Sequence, residues 1–540
     1  MRVFARAMLP SCVALALFLA GCATPIQTVN SRPPSERPPA SDEGVLTVSV
    51  TVNTGVVGQF DTLVLKRVDD PDPKAAGGQY EYNISEITGR VARDTSLFIA
   101  SLKEGDYTIE RLRDSDVLTT FTPGETNKTL GSFKIVAGKL TDLGRIVITP
   151  LNFQIGAGRS RLIKTNEALV TRFAPSTSKF YHEVLPSGWN TPASDGDIVE
   201  KFALTHPLGV TTLVELPEGR VAAATRLGTI LLRDTGGHWK PLRSGNLDAW
   251  MSVAPASGPD AMLVAVGEYS NIAKVDAQGV FHPVERGNLP MGTLIFVAGD
   301  IAHGWVVAHK LNTKVTLYHT DSLDKPEWTP LLTDNLTVSF WSGAQQLWLW
   351  PTRTGFGYAR TTGEIRFYDM AAKTWTDRTS PDKKPIINIY QSPGGELGLL
   401  SSPGGGLGGI TAAAWLSRDQ AQTWVETTSP YKVKVQPTKF TASGLMLQSG
   451  GIFGGAALQG SKDQGKTWTV LSDKVGATDQ VMPLATAGLF KLARGAGVAG
   501  MSDFELISHS GDEGATWVAE YSSIDSALMK AQEAARAAKK

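Results

Sequence analysis

From residue 45 to 52 the chain alternates, with Leu46, Val48, Val50 and Val52 on one parity and Thr47, Ser49 and Thr51 on the other. Successive side chains of a strand point to opposite faces, so this pattern predicts a strand of a half-buried sheet. Short apolar runs at Leu63, Val64 and Leu65 and at Leu97, Phe98 and Ile99, each bounded by Gly, Asp or Pro, predict further strands. Roughly seven strands fit within 44–150. Residues 151–205 carry no clean period, and only a short helix around 167–172 is expected there.

From residue 206 alternation gives way to repetition. Ser461, Asp463, Gly465, Thr467 and Trp468 recur in the same spacing as Ser510, Asp512, Gly514, Thr516 and Trp517. A third copy keeps Ser417, Asp419, Thr423 and Trp424 with Ala421 in the glycine place, and a fourth keeps Asp234, Gly236 and Trp239. With Phe281, Trp328 and Trp375 filling the gaps, the aromatic marks stand 42 to 49 residues apart from 239 to 517. Gly245-Asn246-Leu247, Gly287-Asn288-Leu289 and Asp334-Asn335-Leu336 keep the same register. A repeat of this length matches a four-stranded propeller blade. One blade cannot bury both faces of its sheet, so the array must close on itself.

At these residues the chain resembles the Asp-box, or BNR-repeat, β-propellers, a family that includes sialidases, sortilin-type receptors and photosystem assembly factors. The resemblance implies that each sign is a hairpin between the third and fourth strands of a blade. Its aspartate would accept bonds within the turn, its glycine would take positive φ, and its tryptophan would pack between blades. Asp234, Asp419, Asp463 and Asp512 are therefore expected to be structural, with Trp239, Trp424, Trp468, Trp517, Gly465 and Gly514. The region before the repeats, at residues 102–109 and 133–144, resembles transthyretin-like or immunoglobulin-like accessory domains, which implies that Gly105 sets a hairpin, that Tyr107 and Ile109 face the core and that residues 146–148 form the last strand. The expected fold is all-β: a seven-bladed β-propeller over 206–521 after a small β-sandwich over 44–150, joined by 151–205 and followed by a helical tail over 522–540. The sandwich is expected to be a spacer, or else a binding module.

At the other end Arg2 and Arg6 precede an apolar stretch over 7–20, too short for a spanning helix and suited to a secretory signal. It closes on Leu19-Ala20-Gly21-Cys22. This resembles the lipobox of bacterial lipoproteins, which implies a signal peptide over 1–21, acylation of Cys22 and membership of the cell envelope. Ala23 after the cysteine suggests the outer membrane, with the periplasmic or surface face left open. Pro25, Pro33, Pro34, Pro38 and Pro39 then predict an extended stalk over 22–43.

Composition removes several functions. Lys and Arg total 52, as do Asp and Glu, so no basic field attracts nucleic acid. Cys12 and Cys22 are the only cysteines, so the mature chain forms no internal disulfide. The eight histidines lack zinc-site spacing. The glycines of 404–409 match a dinucleotide fingerprint but no βαβ unit surrounds them, and no serine-hydrolase elbow appears. The first predicted blade strand, residues 211–216, has no arginine of the kind a sialidase carries. No cofactor, metal or catalytic residue is expected.

By repeat register, Arg226, Arg243, Trp250, Tyr269, Arg286, Lys310, Arg360, Lys383 and Lys384 lie in loops on the face opposite the Asp-box hairpins. A ring of basic and aromatic groups there would dock another envelope protein. The expected function is a lipid-anchored scaffold, and the alternative is a glycan-binding protein or glycoside hydrolase.

Overall fold

A computed structural model describes residues 27–525, apart from 55–58, 69–79, 90, 116–118, 123–129, 152–154, 184–187, 191–195, 259, 340–342, 403–411, 435, 451–456 and 497–502. The signal peptide, Cys22, the loop at 404–409 and nearly all of the expected C-terminal helix lie outside the described residues.

Among the described residues ten strands precede the repeats: β1 (Gln27–Ser31), β2 (Glu43–Val52), β3 (Thr62–Arg67), β4 (Tyr80–Ser85), β5 (Thr95–Lys103), β6 (Gly105–Asp114), β7 (Thr119–Phe121), β8 (Ser132–Ile135), β9 (Leu140–Pro150) and β10 (Ile155–Arg159). One sheet runs β1-β4-β3-β6-β7 with β8 beside β6, and the other runs β10-β9-β2-β5. Leu46, Val48, Val50 and Val52 of one sheet meet Leu63, Leu65, Tyr107, Ile109 and Phe133 of the other in a shared core. Each such side chain contributes about 1.5–3 kcal/mol on burial, enough to fix the register of β2.

Three expectations need correction. Every residue of β2 is buried, so its sheet is covered on both faces. The polar parity of β2 is satisfied internally, with the Thr47 hydroxyl 3.1 Å from that of Tyr181, Arg145 Nε donating to Ser49 Oγ at 3.1 Å, and Thr51 paired with Thr95 at 3.0 Å. Gly105 marks a crossing from one sheet to the other, because β5 and β6 belong to different sheets. The segment after Cys22 is not a free stalk from residue 27 onward. β1 pairs in parallel with β4 along its whole length, Ser101 N donates to Arg32 O at 3.0 Å, and Arg37 binds Glu43 at 2.7 Å. The open edge of β4 supplies the backbone partners that keep the proline-rich segment on the domain.

Four helices follow among the described residues: α1 (Glu167–Phe173), α2 (Pro175–Ser178), α3 (Phe180–Glu183) and α4 (Gly196–Thr205). The first three cover the outer face of β2, β5 and β9, where Leu169, Val170 and Ala174 join Val45, Leu97, Ile99 and Leu140. α4 places Ala203 and Leu204 against Val147, Leu227 and Leu247. The segment without a period is thus a wedge between two bodies.

Among the described residues seven four-stranded antiparallel sheets come next, each in sequence order. Sheet 1 spans 214–243, sheet 2 spans 250–284, sheet 3 spans 293–335, sheet 4 spans 347–379, sheet 5 spans 386–426, sheet 6 spans 439–472 and sheet 7 spans 480–522. Each aromatic mark packs against the sheet before its own: Phe281 between sheets 1 and 2, Trp328 between 2 and 3, and Trp375 between 3 and 4. Trp424, Trp468 and Trp517 repeat this as far as sheet 7. Trp239 of sheet 1 then packs with Phe490 and Leu492 of sheet 7, so first and last sheets share a core.

The hairpins between third and fourth strands account for the repeated sign. In the copies at Asp419, Asp463 and Asp512, the Ser hydroxyl donates to Asp Oδ1 at 2.8 Å and accepts the main-chain N–H of Ala421, Gly465 or Gly514 at 2.8 Å. The N–H groups of Thr423, Thr467 and Thr516 donate to Oδ1 at 2.8–2.9 Å, and their hydroxyls donate to Oδ2 at 2.5–2.6 Å. Gly465 and Gly514 take φ of 85° and 96°, which only glycine adopts without strain, and Ala421 takes 61°. In the fourth copy Gly237, not Gly236, has positive φ, and His238 N donates to Asp234 Oδ1 at 2.9 Å.

The threonine hydroxyl, then the threonine N–H, hold Asp419, Asp463 and Asp512 at about 2. A depressed folded value contributes stability above the ordinary 3.8 that is lost as the pH falls through about 2. Thr467→Val removes the largest of these causes, so carboxyl-carbon NMR should find the Asp463 titration moved up toward 3.8; an unmoved curve would mean that the hydroxyl is not its partner.

Candidate functional site

The two bodies meet on the face formed by the loops between second and third strands and between successive sheets. The turn at 91–95, before and at the start of β5, enters that face. Glu268, fully buried after the second strand of sheet 2, accepts the N–H groups of Arg93 at 2.7 Å and of Asp94, the Thr95 hydroxyl at 3.3 Å and the N–H of Ala249 at 3.1 Å. Burial, then the charges of Asp94 and Asp248, raise its pKa to about 7. Arg145 of β9 binds Asp248 at 3.0 Å, and the Thr293 hydroxyl donates to Val91 O at 2.9 Å.

This contact changes the reading of the expected docking ring. Arg226 is 5% exposed, donates to Thr54 O and lies 3.5 Å from Asp94, so it joins the bodies and is closed to a partner. Tyr269 is 2% exposed among Val45, Leu97, Leu169 and Val170. Arg360 is held by Asp334 at 2.9 Å and Glu364 at 3.5 Å. Lys310 is exposed as a residue, and partial desolvation of its ammonium, then the charge of Arg93, lower its pKa. Arg243, Lys383 and Lys384 are exposed, with Lys384 3.7 Å from Asp382. No continuous ring forms, because the sandwich and its helices occupy part of the face.

Three of the nine residues do converge. Trp250, Tyr269 and Arg286 line a recess of about 350 Å³ formed by sheet 2 and its flanking loops, with Arg172 of α1 also on its wall. Trp250 stacks on Phe281 with ring centres 5.6 Å apart and planes 20° apart. The Arg172 guanidinium stands 5.8 Å from the centre of the Tyr269 ring, and Phe173 packs against the same ring at 5.6 Å. Tyr269 and Ser270 both take left-handed backbone, with φ of 57° and 56°. Such residues cost about 1–3 kcal/mol each and persist where their surroundings over-determine them. Here Ser270 is pinned from both ends, its N–H donating to Gly292 O at 2.7 Å and its hydroxyl to Pro290 O at 2.7 Å.

Arg172 carried no sequence signal of its own. The short helix that bears it was expected at 167–172, but its role depends on Tyr269, about a hundred residues away, which no local pattern encodes. Glu268 escaped notice because a lone loop carboxylate between Gly267 and Tyr269 reads as solvated. Among the described residues no group of three or more His, Cys, Asp or Glu is arranged to hold a metal ion, and no helix is long and apolar enough to cross a membrane.

No family model and no curated protein matches the chain. Among solved structures it is similar to YCF48 bound to a D1 peptide, at 17% identity and a TM-score of 0.39 over 53% of this chain and 90% of that one. It is also similar to the WD40 β-propeller domain of Doa1, at 11% identity and a TM-score of 0.34 over 57% and 97%. A third is a putative 6-phosphogluconolactonase from Bacteroides uniformis, at 11% identity and a TM-score of 0.36 over 54% and 90%.

Proposed function

We propose that this chain is a lipid-anchored envelope protein that binds a protein partner through the junction of its sandwich with a seven-bladed β-propeller of Asp-box type. The observation that carries the reading is the recess at that junction, where Arg172 and Arg286 flank the stacked Trp250 and Phe281. Aromatic and arginine side chains at a concave, partly desolvated spot are the usual anchors of protein recognition. The propeller reading draws on the run of four-stranded sheets and on the core shared by sheets 1 and 7. The anchor draws on the sequence ending in Cys22. No chemistry is required of the chain.

Affinity capture from detergent-solubilised membranes tests this reading, with the partner rebuilt from purified components. Arg243→Glu with Arg286→Glu should weaken the rebuilt complex at least tenfold, since both are exposed and have no acidic partner among the described residues. A complex of unchanged affinity, or no specific partner at all, would overturn it. A glycan-binding or glycoside-hydrolase reading is favoured by the same stacked aromatics, which suit a sugar face. Turnover of aryl glycosides abolished by one Asp or Glu change would put that reading first.

A further inference from the structure

We propose that the recess beneath α1 is an anion site, built for a carboxylate or phosphate carried on a flat apolar body. The inference deepens the partner-binding reading and rests on it for biological setting, but its own argument is chemical. No acidic residue lines the recess, while Arg172 and Arg286 both do, and neither is paired with an acid among the described residues. Two guanidinium groups within one concavity raise the local potential, and each presents a fork suited to two oxygens of one anion.

A second observation is independent of charge. The indole N–H of Trp250 and the hydroxyl of Tyr269 are buried and have no hydrogen-bond partner among the described residues. Unsatisfied buried polar groups are uncommon, and here two belong to residues lining one recess. Asn246, on the same wall, spends its Oδ1 accepting Asp248 N at 3.1 Å and the Ser244 hydroxyl at 3.0 Å, which leaves its amide N–H groups over. The hydroxyl of Ser270 is already committed as a donor to Pro290 O. Both unpartnered groups, of Trp250 and Tyr269, can donate, and an anion would supply the acceptor.

The apolar part of the wall sets the rest of the ligand. Trp250, Phe281, Ile272, Pro283 and Met291 supply a surface for a ring or short hydrocarbon, and the volume of about 350 Å³ suits a group of that size. The left-handed backbone at Tyr269 and Ser270 is what brings the tyrosine under Arg172, so the strain lies where the ligand would be held. Such an anion could be a free small molecule or an acidic group on the partner's surface.

Calorimetry on the full chain with phenyl phosphate, benzoate, inorganic phosphate and neutral benzyl alcohol tests the inference. Phenyl phosphate or benzoate is expected to bind saturably and at least tenfold more tightly than benzyl alcohol. Arg172→Gln with Arg286→Gln, both on exposed side chains and so compatible with folding, should weaken that binding at least tenfold. Absence of saturable binding of either aromatic anion up to about 10 mM, or equal binding by the double variant, would overturn it. If phenyl phosphate binds and displaces the rebuilt partner, the anion belongs to the partner; if it binds without displacement, it is a free ligand. Binding of phenyl phosphate by a chain that retains no partner would leave the anion site standing and remove the docking reading.

Discussion

Glu268→Ala is expected to lower the free energy of unfolding by about 3–5 kcal/mol, the cost of leaving buried donors without their charged partner. The alanine would strand the N–H groups of Arg93, Asp94 and Ala249 and the Thr95 hydroxyl in a place water does not reach. Because those groups come from both bodies, the loss should appear first at their contact. Limited proteolysis should cut within 151–205 in the variant under conditions that spare the wild type. Glu268→Gln keeps one oxygen and should fall between the two.

The same residue gives a pH dependence of defined sign. Its folded value, raised to about 7 from the ordinary 4.5, means that folding takes up a proton. The associated stability is fully present below about pH 4.5 and is lost as the pH rises through 7. Urea titrations at pH 5 and pH 8 should therefore find a difference in wild type that Glu268→Gln lacks. An equal difference in both proteins would assign the titration to another group.

Glu520→Ala should cost a comparable amount, about 3–5 kcal/mol, by opening the seam between the first and last sheets. Among the described residues no strand is shared between sheets 1 and 7, so the seam depends on side chains. Arg233 of sheet 1 donates through Nε and Nη2 to the two oxygens of Glu520 of sheet 7, each at 2.7 Å, and both side chains are under 10% exposed. Trp239 Nε1 adds a bond to the same carboxylate at 3.2 Å, and Arg233 lies over the Phe490 ring at 5.2 Å. Below them Glu215 accepts the N–H groups of Ala485, Thr486 and Ala487 at 2.7–2.8 Å.

A double-mutant cycle separates the pair from its surroundings. Arg233→Met with Glu520→Leu replaces both charges by apolar groups of similar size and should recover most of the loss, since the single change leaves an unpaired buried guanidinium. Similar losses in the single and double variants would mean that packing, not charge, closes the seam. The unfolding slope with denaturant should stay that of the wild type if the ring still melts as one unit.

What the sequence made legible was local. The Ser-Asp-Gly-Thr-Trp spacing encodes a hairpin whose bonds all fall within a few residues, and the aromatic positions encode which residues meet the preceding sheet. The alternation at 45–52 placed Leu46, Val48, Val50 and Val52 in the core correctly. It misled about the other face, because Thr47, Ser49 and Thr51 look the same whether they meet water or the buried partners Tyr181, Arg145 and Thr95. The parallel pairing of β2 with β9 spans nearly a hundred residues and has no local signature.

The candidate site was legible only in part, for the same reason. Register placed Trp250, Tyr269 and Arg286 on one face, but whether loop residues are open or covered is decided by a different domain. Arg226 and Arg243 are indistinguishable as loop arginines; one is clasped by Thr54 and Asp94, and the other is exposed.

Parallel pairing of β1 with β4 has a mechanical consequence. If Cys22 is tethered, only four residues lie between it and Gln27, a leash of less than about 20 Å even when taut. Tension on that leash would pull along β1 and load its ladder to β4 in shear, all the rungs together, instead of peeling them one at a time. The folded body would then ride close to the lipid surface and resist being dragged from it.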